Sequence, residues 1–255
     1  MQPVVDISSD LGEGFGRYKM ANDEEMLEVV TSANIACGFH AGDPRTISDT
    51  VKAALKNHNG IGAHPGFPDR VGFGRRDMAL SYEEVYTDVL YQIGAIFAFA
   101  QANGGKLQHV MAHGQLQNMA QKNQIYAEAI SDAVKDFDDS LIVMAQPGKL
   151  LDISREKGLR TAVTIFADRA YHEDKTLVSR RESGAVISDP DKVVKRCLKM
   201  VIEHKVTSVT GKEITVHGDS LLLHGDTAGS LQLSKRIKSA LLEHGVKVLP
   251  LGQWI

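Results

Sequence analysis

SANIACGFHAGDP, residues 32–44, changes character halfway. Its first half is a run of small and branched residues ending at Cys37, the composition of a strand buried on both faces. Its second half is a glycine-rich turn that carries His40 and Asp43 and closes on Pro44. Asp43 is placed to cap a helix that Pro44 opens, with Ile47, Val51, Ala54 and Leu55 along one face. Strand, polar turn and capped helix make one β-α unit. The pattern returns at GIGAHPGFPD (60–69), HVMAHGQLQN (109–118) and LLLHGDTAG (221–229), each with a histidine where a strand-like run ends.

Working outward, strand-like runs fall at 4–8, 32–38, 60–65, 109–113, 141–146, 162–167, 220–225 and 246–250. Helical patterns lie between them. Ser81 and Glu84 form a capping box, the glycines at 104 and 105 stop the helix that follows, and Asp189-Pro190 repeats the Asp-Pro start. The last helix places Leu233, Ile237, Ala240 and Leu241 on one side. About seven β-α repeats predict an α/β fold with a parallel sheet, as one domain over residues 1–255. A closed or nearly closed (β/α) barrel fits this length, with an open doubly wound sheet as the alternative. The polar stretch 168–190 is a long insertion after a strand, the kind of segment that often forms a lid.

The 255 residues are 43% hydrophobic and 24% charged, with a net charge of −3. That balance lacks the basic footprint of a nucleic-acid binder. Two scattered cysteines, Cys37 and Cys197, form no disulfide framework and suit a reducing compartment. No apolar run approaches the roughly 20 residues that span a membrane. The N-terminus has acids and no basic region ahead of an apolar one, so no secretory signal is expected and the cytosol is.

In parallel α/β folds, ligands sit at the carboxyl ends of the strands, where helix N-termini aim unpaired N–H groups. The polar residues at those ends are Asp10 and Glu13, His40 and Asp43, His64 with Arg75 nearby, His113 and Asn118, Asp168 and Arg169, and His224 and Asp226. Four histidines and several acids on different strands exceed what packing requires. No Walker phosphate loop, dinucleotide fingerprint or G-x-S-x-G elbow is present. Carboxylate plus imidazole remains, either as general acid-base catalysis or as a metal site that activates water, with Asp10, His40 and His64 as its ligands. Either chemistry suits hydrolysis of a C–N or C–O bond.

These residues lie in segments that resemble a known family. SDLGEGFG, SANIACGFHAGDP, IGAHPGFPD, GFGRRDM, SYEEVYTDVLYQIGA, HGQLQN, FADRAY and LLLHGDT together are similar to the LamB/YcsF family of lactam utilisation proteins, the group of 5-oxoprolinase A subunits. The resemblance spans nearly the whole chain. It implies a distorted seven-stranded (β/α) barrel related to sugar hydrolases and deacetylases. It implies ATP-dependent opening of the lactam 5-oxoproline to glutamate, with Mg-ATP as co-substrate and subunits B and C as partners. On that reading Asp10 and His64 transfer protons or position water, and His113 lies near the carbonyl oxygen. Glu13, His40, Asp43, Arg75, Asn118, Asp168, Arg169, His224 and Asp226 shape the binding site. The chain differs from the family pattern at Ser8, where Asn is usual, and at Met111, Ala112 and Gln117, where Lys, Pro and Tyr are usual. Two alternatives stand beside this reading: a metal-dependent, deacetylase-like C–N hydrolase, and a binding or scaffold subunit whose catalysis those substitutions impair.

Overall fold

A computed structural model describes residues 2–20, 22–225 and 229–255. The chain runs through β1 (Val4–Leu11), α1 (Asp23–Leu27), β2 (Ser32–Ala36), α2 (Pro44–Lys56), β3 (Gly60–His64) and α3 (Tyr82–Ala102). It continues through β4 (Leu107–Val110), α4 (Gly114–Ala120), α5 (Gln124–Phe137), β5 (Ile142–Ala145), α6 (Lys149–Glu156) and β6 (Arg160–Phe166). Then come α7 (Pro190–Ile202), β7 (Lys205–Thr207), β8 (Glu213–Thr215), β9 (Ser220–Leu222), α8 (Ser230–Glu243) and β10 (Lys247–Val248). Strands β1 to β6 and β9 pair in order and all in parallel, and β9 returns to β1 through Asp6↔Ser220 to Ser8↔Leu222. The ring is therefore a closed seven-stranded barrel, and the open sheet is excluded.

All eight expected strand runs shift at one end or both, and two of the shifts change the architecture. The 246–250 run shortens to β10, which pairs with Val4 and Val5 at the foot of β1, outside the ring. The 4–8 run extends to Leu11, because Ser8–Leu11 find partners in Ser32–Ile35. Asp10 thus projects from a strand rather than from a loop. β7 and β8 form a separate antiparallel hairpin.

β1 alternates Val5 and Ile7 with Asp6, Ser8 and Asp10. The first set is fully buried and joins the large core between barrel and helices. The second meets Ser32, Asn34 and Ser220 from neighbouring strands inside the barrel. The opposite wall is apolar, with Met111, Ile142, Met144, Ala162, Phe166, Leu222 and Leu251 forming a second cluster. Leu251 belongs to a C-terminal 3-10 turn, Leu251–Gln253, whose Gly252 N–H donates to Gln108 Oε1 at 3.0 Å.

The helices begin where expected. Asp43 accepts from the N–H of Arg45 and Thr46, the Ser81–Glu84 box is complete, and Asp189 caps α7. The insertion after β6 is ordered. Arg169 is buried beneath it, donating to Ala185 O at 3.3 Å and Val178 O at 2.6 Å. Among the described residues, no helix is long and apolar enough to cross a membrane.

Candidate active site

At the carboxyl ends of the first four strands, three buried imidazoles close on two carboxylates. His64 Nε2 lies 3.4 Å from Asp10 Oδ1 and 3.0 Å from His113 Nδ1. Backbone carbonyls hold the far side of both rings: His64 Nδ1 is 2.7 Å from Met111 O, and His113 Nε2 is 2.9 Å from Phe73 O. A carbonyl only accepts, so each of those nitrogens carries a hydrogen. If both rings were neutral, His64 Nε2 and His113 Nδ1 would face each other with two lone pairs. Either a shared proton or a bound cation satisfies both.

The electrostatics place a shared proton on His64. Burial pushes His64 down, but the Asp10 carboxylate, the Glu13 charge and the Met111 carbonyl outweigh it and hold His64 above its ordinary value. Burial, then the His64 charge, pushes His113 down to about 3. Burial opposes ionisation of Asp10, yet the His64 charge and hydrogen bond keep its carboxyl well below the usual range. The shifts thus favour an ionised Asp10 and a neutral His113 on either side of His64. The Asp10 side chain remains 25% exposed whereas those of His64 and His113 are at 2% and 3%, so Asp10 is the member that meets solvent.

Glu13 and His40 complete the gathering. Glu13 Oε1 lies 3.2 Å from His40 Nε2 and 3.5 Å from His113 Nδ1. His40 is held far below its ordinary value chiefly by burial. One ligand atom from each of Glu13, His40, His64 and His113 lies within 4.8 Å of the others, a group able to hold a metal ion. Two of the three ligands expected for a cation, His40 and His64, are in this group, while Asp10 stands beside it. The rings of His40 and His113 are parallel, at 1° and 3.7 Å. A cation lies near the plane of each imidazole that binds it, so as arranged it could take Glu13, His64 and one of the stacked pair.

A second polar group lies at the ends of β6 and β9. His224 Nδ1 donates to Asp168 Oδ1 at 2.7 Å, and Arg180, from the insertion, donates to His224 Nε2 at 2.8 Å. Arginine cannot accept, so His224 Nε2 takes the acceptor role in this contact. Arg75 lies over the Phe73 ring at 5.1 Å.

Other expected site residues have structural duties. Asp43 uses both carboxylate oxygens, on the α2 N-terminus and on Gly16 N–H, so it is a cap rather than a ligand group. Arg169 supports the insertion from below, its guanidinium drawn to two buried carbonyls. Asn118 is exposed on α4 and donates to Gln115. Asp226 lies outside the described residues. Ser8 points inward to Ser220 at 2.9 Å, and the Met111 side chain joins the apolar barrel wall.

Three residues at the site do not stand out in the sequence. Asn34 donates to Asp10 Oδ1 at 2.9 Å, His109 meets Asn34 Oδ1 at 2.8 Å, and Gln108 meets His109 Nδ1 at 3.2 Å. A register shift between Ile61 and Gly62 lets consecutive residues of β4 engage the interior.

The chain is similar to known proteins over nearly its whole length. The family model described as the LamB/YcsF family matches residues 5–255. The chain is 48% identical over 252 residues to the 5-oxoprolinase A subunit of Campylobacter jejuni subsp. jejuni, covering 98% of this chain and 99% of that protein. It is 46% identical to the A subunit of Pyrococcus furiosus, with the same coverage. The crystal structure of a lactam utilization protein from Thermus thermophilus superposes with a TM-score of 0.93 at 42% identity, covering 97% of this chain and all of that one.

Proposed function

Because the chain belongs to the LamB/YcsF family, we propose that it opens the lactam ring of 5-oxoproline to glutamate, with Mg-ATP as co-substrate, as the A subunit of a 5-oxoprolinase. Subunits B and C are its proposed partners and the cytosol its proposed location. The observation that carries this reading is the buried pair His64 and His113, 3.0 Å apart, beside the exposed edge of Asp10.

A lactam carbonyl is a poor electrophile, and ATP would supply the activation of its oxygen. The chain's residues manage protons. A water at the Asp10 edge attacks the ring carbonyl carbon and gives its proton to Asp10. The C–N bond breaks, the ring nitrogen takes that proton back from Asp10, and the acyl phosphate left behind would be hydrolysed by a second water to glutamate and phosphate. His64 and its hydrogen bond hold Asp10 ionised between turnovers. His113 steadies His64 from the other side. Arg75 and Arg180, at the barrel mouth, are proposed to meet the substrate carboxylate.

The test is glutamate release from 5-oxoproline with Mg-ATP, for the chain alone and with subunits B and C. Release that needs the partners supports the reading. No release in the complete mixture, with the C. jejuni protein turning over in parallel, would refute it. The Glu13, His40, His64 and His113 gathering supports a second reading, a divalent cation used in ATP-independent hydrolysis. Stoichiometric metal in the purified chain, with activity lost to a chelator and no need for ATP, would select it.

A further inference from the structure

Beneath the catalytic pair a line of polar side chains crosses the barrel and ends on Asp10. Its direction can be read from one end. Gly252 N–H donates to Gln108 Oε1 at 3.0 Å, so the Gln108 amide presents its NH2 the other way, to Ser32 Oγ at 3.0 Å and His109 Nδ1 at 3.2 Å. His109 Nδ1 therefore accepts, and its hydrogen is on Nε2, donated to Asn34 Oδ1 at 2.8 Å. With its oxygen engaged, Asn34 turns its N–H to Asp10 Oδ1 at 2.9 Å.

We propose that His109 and Asn34 are positioning residues of the active site: His109 locks the Asn34 amide so that an N–H, never an oxygen, faces Asp10. The inference rests on the acid-base reading of Asp10. His109 touches none of the reacting groups, yet the fold is built around it. It is fully buried, and burial holds its imidazole neutral, at about 3. The β3–β4 register shift admits it, and a Cβ at Gly62 would stand 2.0 Å from its Nε2. An apolar side chain would fill this space without a desolvation cost. Without the His109 hydrogen, the Asn34 amide is free to flip, and its oxygen would then repel the Asp10 carboxylate away from His64.

The test compares His109→Leu with His109→Gln, whose amide N–H reaches about as far, in the complete 5-oxoprolinase assay. Outer hydrogen-bond partners of a site are typically worth roughly tenfold to a hundredfold in activity. The expected result is a kcat loss of that size for His109→Leu with KM within about twofold, and recovery of most of it in His109→Gln. Wild-type kcat in a folded His109→Leu protein, or equal loss in both variants, would overturn the proposal while leaving the function intact. Absence of wild-type turnover would overturn both. If His109→Leu does not fold, the ring tautomer of His109 in the wild-type chain decides, by nitrogen-15 NMR: neutral with hydrogen on Nε2 supports the proposal, and hydrogen on Nδ1 refutes it.

Discussion

Asp6 gives the sharpest physical test of the barrel interior. It is fully buried and accepts from Thr31 Oγ1 at 2.7 Å, Ser32 Oγ at 2.6 Å and Ser220 Oγ at 2.5 Å. Burial pushes its carboxyl up, the three hydroxyls pull it down, and the balance is a rise from 3.8 to about 6. A carboxyl raised in the folded state favours folding while protonated. Its contribution is present below the unfolded value near 4 and is lost as the pH climbs through about 6. At about 1.36 kcal/mol per pH unit, the whole effect is about 3 kcal/mol. Asp6→Asn removes the titration and keeps the shape. Thr31 and Ser32 can donate to the new amide oxygen, and its N–H can donate to Ser220, whose hydrogen turns to Ser8 at 2.9 Å. Urea unfolding of both proteins from pH 4 to 8 isolates this group, because other titrations cancel in the difference. The variant should gain roughly 2.4 kcal/mol on the wild type as pH rises across that range, the rest of the effect falling below pH 4. Parallel curves, or a variant that loses ground as pH rises, would refute the account of Asp6.

Other perturbations separate the roles assigned above. Asp10→Asn should cut glutamate formation by roughly 10²-fold or more while leaving the chain folded, measured as kcat in the complete assay. Gly62→Ala places a methyl 2.0 Å from His109 Nε2, so it should destabilise by about 1–3 kcal/mol in denaturant unfolding and lower kcat as well. Asp43→Ala should cost about 1 kcal/mol of stability with kcat nearly unchanged, because its oxygens serve the α2 cap and Gly16; a large loss of kcat with full stability would return it to the binding site. Arg180→Gln should raise KM for 5-oxoproline roughly tenfold with little change in kcat, since a hydrogen bond to a charged group is worth about 1.5–3 kcal/mol.

What the sequence reveals here, and what it withholds, follows from which properties are local. Strand, glycine turn and capped helix are local, so the repeat, the Asp43, Ser81 and Asp189 caps and the gathering of Asp10, His40, His64 and His113 were legible. Polarity at a strand end is a local signal too, but it does not say which way a side chain turns. Asp43 and Arg169 carry the same signal as His64 and spend it on a helix end and a folded insertion. Asn34 and His109 fail in the opposite sense. Each lies within a run that reads as a buried strand, and His109 reaches Asn34 where the β3–β4 register shifts, a property of two strands together. The Val5-Asp6-Ile7-Ser8 alternation was visible throughout, but it would look the same in a strand with one face in water. The β1–β9 pairing converts that polar face into the lining of a closed barrel. Once no water reaches it, each polar group must find a partner within the protein, and the line from Gln108 to Asp10 is where those partners led.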